Sequence, residues 1–428
     1  MRNVFHVLTV VLCFLLTACG EDRTHEYEEL TQHNHWIYDV MCDKYLWADN
    51  ITDEPAWKKF FGDADTFLGV VTAYGDDDDW SYVLCDTVES DPHSRGYYNH
   101  GECYGFDFVL MTDPTGQTSK QYVRVKTVYP GSPAEECGLS RGDFISFYDG
   151  YKLSSSNISN LCSGQGCVLT VCHLGYDLSE QAFVWEDTVS LVMGAARHVD
   201  DLAFPVTDVK DTLGMKVAYM MCNHLSPDKL TSGDNVYMSQ LDEIMGGFRE
   251  AGISELILDM RLCNDGTLDM ARRLASYVVD QTCRDGVFAK TMWNSYNSDL
   301  DSVYYYDSSV GSLGLGRVYV IVSGYTQGAA EWFINSLRKS QGEENVILVG
   351  QTTAGQNVMT DSFRSDVYGL TLCPAVAYVA DADGEYDYSA GFTPSDDNAV
   401  NEYDYVQLYP YGDARETLLS RAFYLIAH

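Results

Sequence analysis

At 428 residues, 46% hydrophobic and 13% aromatic, the chain is long enough for two or three domains and too apolar for a disordered protein. Its formal net charge is −36, from 63 acidic against 27 basic residues. A surface of that sign repels phosphate backbones and argues against a nucleic-acid partner; it is otherwise read as solubility, or as attraction for cationic peptides.

The N-terminus reads as a targeting segment. Arg2 supplies a short positive region, Val4 to Leu16 is mostly apolar, and Leu16-Thr17-Ala18-Cys19 follows as a lipobox-like site. The apolar run is short for a membrane span and ends on small residues, as a cleaved signal does. Residues 1–18 are therefore expected to leave as a signal peptide. Cys19 would be acylated, and residues 19–30 would form a polar tether holding the protein at a membrane. An ordinary signal peptide with a coincidental cysteine is the alternative. The acids that follow (Glu21, Asp22, Glu26, Glu28, Glu29) resemble the patch after the lipid cysteine in surface-exposed lipoproteins of the Bacteroidetes type. That implies the bacterial cell envelope, on the outer membrane, facing the periplasm or the cell surface. Of the 13 cysteines, Cys13 would leave with the signal and Cys19 would carry the lipid. The odd number left permits a local bridge such as Cys162 with Cys167, or free buried thiols. No Cys/His spacing matches a zinc site, so neither metal nor cofactor is expected.

Next along the chain, His35 to Met41 and Tyr45-Leu46-Trp47 place large apolar groups on one broad helix face. The acidic run Asp76 to Asp79 lacks the alternating ligands and turn glycine of a Ca²⁺ loop and reads as a solvated loop. From about Tyr104 to Gly175 the chain resembles a PDZ domain. Gly105-Phe106-Asp107-Phe108 opens a strand, Val123 to Val128 alternates as another, and PGSPA (130–134), Cys137-Gly138-Leu139 and Arg141-Gly142-Asp143-Phe144-Ile145 follow. Glycines suit the tight turns, and Ser132-Pro133-Ala134 suits a helix start. Such a module takes up a peptide C-terminus as an added edge strand; a fold kept as a spacer is the other reading.

Beyond about Asp208, strands and helices alternate, as in an α/β domain. Lys216–Met221, Glu255–Met260, Arg317–Val322 and Val346–Gly350 read as strands, and Val236–Phe248, Thr267–Val279 and Ala329–Ser340 as helices. Asp381 to Glu385 has the look of an EF-hand start without its twelfth-position acid and reads as a turn.

Two stretches in this region carry chemistry. Ser323 to Glu331 reads SGYTQGAAE and Gly350 to Val358 reads GQTTAGQNV. With LILDMRLCNDGTL (256–268), YSAGFTP (388–394), the PDZ-like series and the helical N-terminal segment, they resemble the C-terminal processing (tail-specific) serine peptidases. The resemblance implies a multidomain α/β and β fold. It would comprise a small helical N-terminal domain (31–100), a PDZ-like domain (101–178) and an α/β ClpP/crotonase-like peptidase core (205–428). It puts the nucleophile position at Gly328 and the general-base position at Gln356. Oxyanion donors fall at Gly266 and Ala329, and a carboxylate-binding loop at Gly105, Phe106, Asp107 and Phe108. Glycine has no side chain to attack a carbonyl, and a glutamine amide takes no proton near neutral pH. Asp265 stands where the family has glycine and sets a negative charge beside a site meant for an oxyanion. The expectation is a membrane-anchored homologue that binds extended peptides or protein C-termini without cutting them. A working peptidase with a substitute nucleophile, and a scaffold lipoprotein, are the alternatives.

Overall fold

The computed structural model of this chain describes residues 24–72, 77, 80–85, 102–212, 214–228, 234–405 and 407–428. Cys19, the signal segment and most of the Asp76 to Asp79 run lie outside them. The chain forms two units.

The first unit comprises residues up to Cys85 together with Asn294–Asn297 and Thr360–Val376. Helix α1 spans Thr24–Lys44 and so begins inside the segment expected to be a polar tether. Its first turns leave Tyr27 and Leu30 exposed, so no apolar stripe announces them, while Glu and Leu are good helix formers. The stripe starts later, with Ile37 and Met41 fully buried. Helix α2, Ala64–Val71, is capped by Asp63, whose Oδ1 accepts from the Thr66 amide at 2.8 Å. His35 and Phe67 pack on Phe60 with ring centroids 4.0 and 4.8 Å away. Asn294, far along the chain, donates to the carbonyls of Asp43 (2.9 Å) and Tyr45 (2.8 Å) and so serves the orphan acceptors at the end of α1. Strands Tyr82–Cys85, Leu370–Cys373 and Phe363–Ser365 form a small antiparallel sheet in the same unit.

The second unit holds two larger sheets. The first is antiparallel, in the order β1 (Phe106–Thr112), β2 (Gln121–Val128), β3 (Phe144–Tyr148), β4 (Cys167–Asp177), β5 (Ala182–Met193). The β4–β5 hairpin carries this sheet past residue 178, the boundary expected from the motif series. Helix α3 is a single turn, Pro133–Glu136, with Ser132 as its cap and Pro133 in its first turn. Gly105 has φ +76°, and a Cβ there would overlap the Ser132 side chain. Only glycine allows that approach.

The second sheet runs β6 (Thr207–Thr212), β7 (Met215–Met221), β8 (Glu255–Asp259), β9 (Val318–Val322), β10 (Val346–Gly350). β7, β8, β9 and β10 are parallel, and β6 closes one edge as an antiparallel hairpin. Helices α4 (Val236–Ala251), α5 (Leu268–Val278) and α6 (Ala329–Gln341) share one core with one face of the sheet, through Leu241, Leu274 and Phe333. Helix α7 (Thr417–Ala427) shares a second core with the other face, through Leu418, Leu419 and Ile426. Strands covered on both faces need side chains that are apolar on both, which is why they read as continuous hydrophobic runs. All eleven cysteines from Cys42 to Cys373 are free thiols, including Cys162 and Cys167. No helix among the described residues is long and apolar enough to cross a membrane.

Candidate active site

β9 ends at Val322, and α6 begins at Ala329. Between them the backbone turns sharply at Gly328, with φ +54° and ψ −116°. An L-residue with a side chain is strained there by about 1–3 kcal/mol. This is the strand–turn–helix geometry that projects a nucleophile into a cleft. A Cβ built on Gly328 would sit 2.9 Å from Gln356 Oε1 and 3.4 Å from its Cδ. The two positions therefore face one another at side-chain contact distance.

Glu331 holds them in place. It lies in the first turn of α6 with no exposed surface. Its Oε1 accepts from the Thr353 hydroxyl and from the Gly355 amide at 2.7 Å, and its Oε2 from the Gln356 amide at 2.6 Å. Burial pushes the Glu331 carboxyl up to about 7 against the pull of these donors and of the Gly328 amide. The Ala354 amide also donates to Thr326 O at 3.0 Å, tying the Gln356 loop to the Gly328 turn. In the sequence Glu331 stands only as the last residue of the SGYTQGAAE stretch. Its spacing three residues after Gly328 is the signal for its larger role.

The third part is the loop after β8. Gly266 packs so tightly on Leu225 and Ala329 that an added Cβ would lie 2.7 and 2.8 Å from their Cβ atoms. The two expected oxyanion positions are thus brought together. The Gly266 amide, however, donates to Asp265 Oδ1 at 2.7 Å, and Asp265 Oδ2 accepts from the Ser226 hydroxyl at 3.0 Å. One of the two expected oxyanion donors thus serves a carboxylate. Gln327 braces the same loop, its Nε2 donating to Asn264 O at 2.9 Å.

The nearby hydroxyls are structural. Thr326 is fully buried and donates to Met260 O at 2.8 Å, and Ser323 donates to Arg261 O at 2.6 Å. Lys339 pairs with Asp383. Asp381 to Glu385 is a turn, with Asp381 Oδ1 accepting the amides of Asp383, Gly384 and Glu385. No metal-binding cluster exists among the described residues.

The second group of expected site residues lies in the antiparallel sheet. Phe106 and Phe108 are core residues there, with ring centroids 5.7 Å apart, and Asp107 is 1% exposed. The cavity beside them, lined by Tyr104, Phe106, Leu161 and Cys162, measures about 60 Å³.

Not legible from the sequence is a buried charge network beneath the loop after β8. Arg261, 1% exposed, meets Asp259 (2.8 Å), Glu402 (2.6 Å) and Glu416 (2.8 Å). Arg141, in the turn between α3 and β3, joins through Glu402. Burial alone would raise the Glu416 carboxyl, but Arg261 and Arg141 override it and hold it at about 2.

The match to known proteins follows this geometry. The peptidase family S41 model matches residues 228–395, and the peptidase S41 N-terminal domain model matches residues 32–82. A candidate S41 protease from Bacteroides fragilis NCTC 9343 superposes with a TM-score of 0.80 at 27% identity, covering 92% of this chain and 97% of its own. The chain belongs to peptidase family S41. The photosystem II D1 C-terminal processing protease aligns over 86% of this chain and 92% of its own, at 16% identity and a TM-score of 0.48. Mature CPAF complexed with lactacystin aligns over 86% and 93%, at 10% identity and 0.45. No curated protein matches the sequence.

In this S41 chain the elbow, the facing loop and the helix start that would serve acyl transfer are assembled. Gly328 and Gln356, the positions expected from the family resemblance for nucleophile and base, face one another there.

Proposed function

We propose that this S41 homologue holds extended or C-terminal peptide segments without cleaving them, at a bacterial membrane surface reached through lipid on Cys19. The observation that carries the reading is the pairing of Gly328 with the Gln356 amide across the turn. Nothing there can attack a carbonyl or take its proton. The Gly266 amide, occupied by Asp265, weakens what electrostatic help remains. Peptides are the ligand class of S41 peptidases, and the assembled elbow retains a surface of that kind. Cys19 lies outside the described residues, and the anchor rests on the lipobox.

The test has three arms. Wild-type protein should not react with serine-directed fluorophosphonates and should not turn over unfolded or tail-tagged substrates. Robust proteolysis that survives Ser323→Ala combined with Thr326→Ala would overturn the inactive reading. Peptides with a free C-terminus should bind more tightly than their amides if the loop at Gly105 to Phe108 opens to receive them; equal affinity makes that domain a spacer. Cys19→Ser should move the protein from the membrane to the soluble fraction, and a variant that stays membrane-bound refutes the anchor.

A further inference from the structure

At the carboxyl ends of β8, β9 and β10 lies a cavity of about 580 Å³, the size of a small-molecule site. The open end of a parallel sheet is where α/β folds place ligands. Two loops of its wall, Ser323 to Tyr325 and Gln351 to Thr352, lead directly into the turn at Gly328 and the loop at Gln356. The cavity is distinct from the small one beside Phe106.

Its wall carries one unusual group. Lys126, on β2, is 3% exposed. Among the described residues its Nζ has no carboxylate or hydrogen-bond partner. Its close contact is the ring of Tyr325, whose centroid is 3.6 Å away and which also lines the cavity. The other charged groups of the wall are matched. Arg261 has its three carboxylates, Glu402 has Arg261 and Arg141, and Asp404 accepts from Asn401 Nδ2 at 3.0 Å. Most of the side chain is covered, but its ammonium is not sealed from solvent, so an anion entering the cavity can pair with it. The cation–π contact with Tyr325 leaves its hydrogen-bond donors unfilled. Leu262, Val322, Val400 and Leu418 supply an apolar side to the same cavity.

We propose that this cavity is a binding site for a small organic carboxylate with an apolar body, its carboxylate paired with Lys126 Nζ and its body against the aliphatic wall. The ligand would contact both loops that lead to Gly328 and Gln356. This site does not depend on whether the cleft at Gly328 cuts, holds or ignores peptides.

The test uses the full chain in calorimetric titrations with N-acetylleucine, N-acetylleucinamide and inorganic phosphate. N-acetylleucine should bind saturably at millimolar concentration or below, and the neutral amide should bind at least about tenfold more weakly. Lys126→Met should abolish that preference. Four results would overturn the proposal: no saturable binding of N-acetylleucine; equal binding of acid and amide; a preference that persists in Lys126→Met; or tighter binding of phosphate, which would mark a bare anion site.

Discussion

The turn at Gly328 makes a quantitative prediction. Its φ of +54° and ψ of −116° lie where any Cβ is strained. Replacing Gly328 by Ala should therefore cost about 1–3 kcal/mol of native strain. The same substitution restricts the unfolded chain and returns about 0.4–1 kcal/mol. The new Cβ would also come within 2.9 Å of Gln356 Oε1. That atom ends a flexible side chain and can rotate away, so the contact adds little. The net expectation is a loss of about 1–2 kcal/mol in urea unfolding at constant m-value. Gly328→Ser should lose the same within about 0.5 kcal/mol, because the strain resides in the Cβ and not in the hydroxyl. Adding Gln356→Ala should recover only the contact component, a few tenths of a kcal/mol. Unchanged or increased stability of Gly328→Ala would refute the strained-turn reading. Gly328→Ser alone should still resist fluorophosphonates, since a serine without a base is a poor nucleophile.

Three further outcomes are expected. Glu331→Gln sets an amide N–H against the Gln356 amide and should cost about 1–3 kcal/mol. Because the folded-state value for Glu331 is raised to about 7 from 4.5, the folded chain binds an extra proton between those limits. Its stabilisation is full below about pH 4.5 and is lost as pH rises to about 7, by up to about 3 kcal/mol; the unfolding free energy of wild type minus Glu331→Gln, followed against pH, should show that slope, and a flat difference contradicts it. Arg261→Leu strands Asp259, Glu402 and Glu416 without their buried cation and should lose about 3–5 kcal/mol in chemical denaturation; a loss below about 1 kcal/mol would show that Arg141 suffices. Finally, in a Gly328→Ser, Gln356→Lys background, Asp265→Gly should release the Gly266 amide and speed fluorophosphonate labelling by about 10²–10³, the worth of one oxyanion donor; equal rates with and without Asp265→Gly would mean that this amide does not point at the reacting centre.

The sequence by itself determined the secondary elements of the α/β core and the residue types at the positions that the family resemblance picks out. Continuous apolar runs marked β7 to β10, and 3.6-residue periodicity marked α4 to α6, because both patterns arise between near neighbours in the chain. The identities of Gly328 and Gln356 rule out a nucleophile and a base at those positions whatever the packing. Ser132-Pro133 likewise fixed the start of α3 by local capping. The polar first turns of α1 escaped because exposed turns leave no apolar stripe. Tertiary structure alone decided which distant groups met: Asn294 reaching the end of α1, Thr353 and Gln356 gathering on Glu331, Arg261 reaching Glu416, and Lys126 arriving over Tyr325. It also decided that the Asp265 carboxylate would take the amide of Gly266, a choice set by backbone orientation in a loop packed on Leu225 and Ala329. Periodicity carries no information about such partners, since chain closure over tens to hundreds of residues, not local propensity, brings them together.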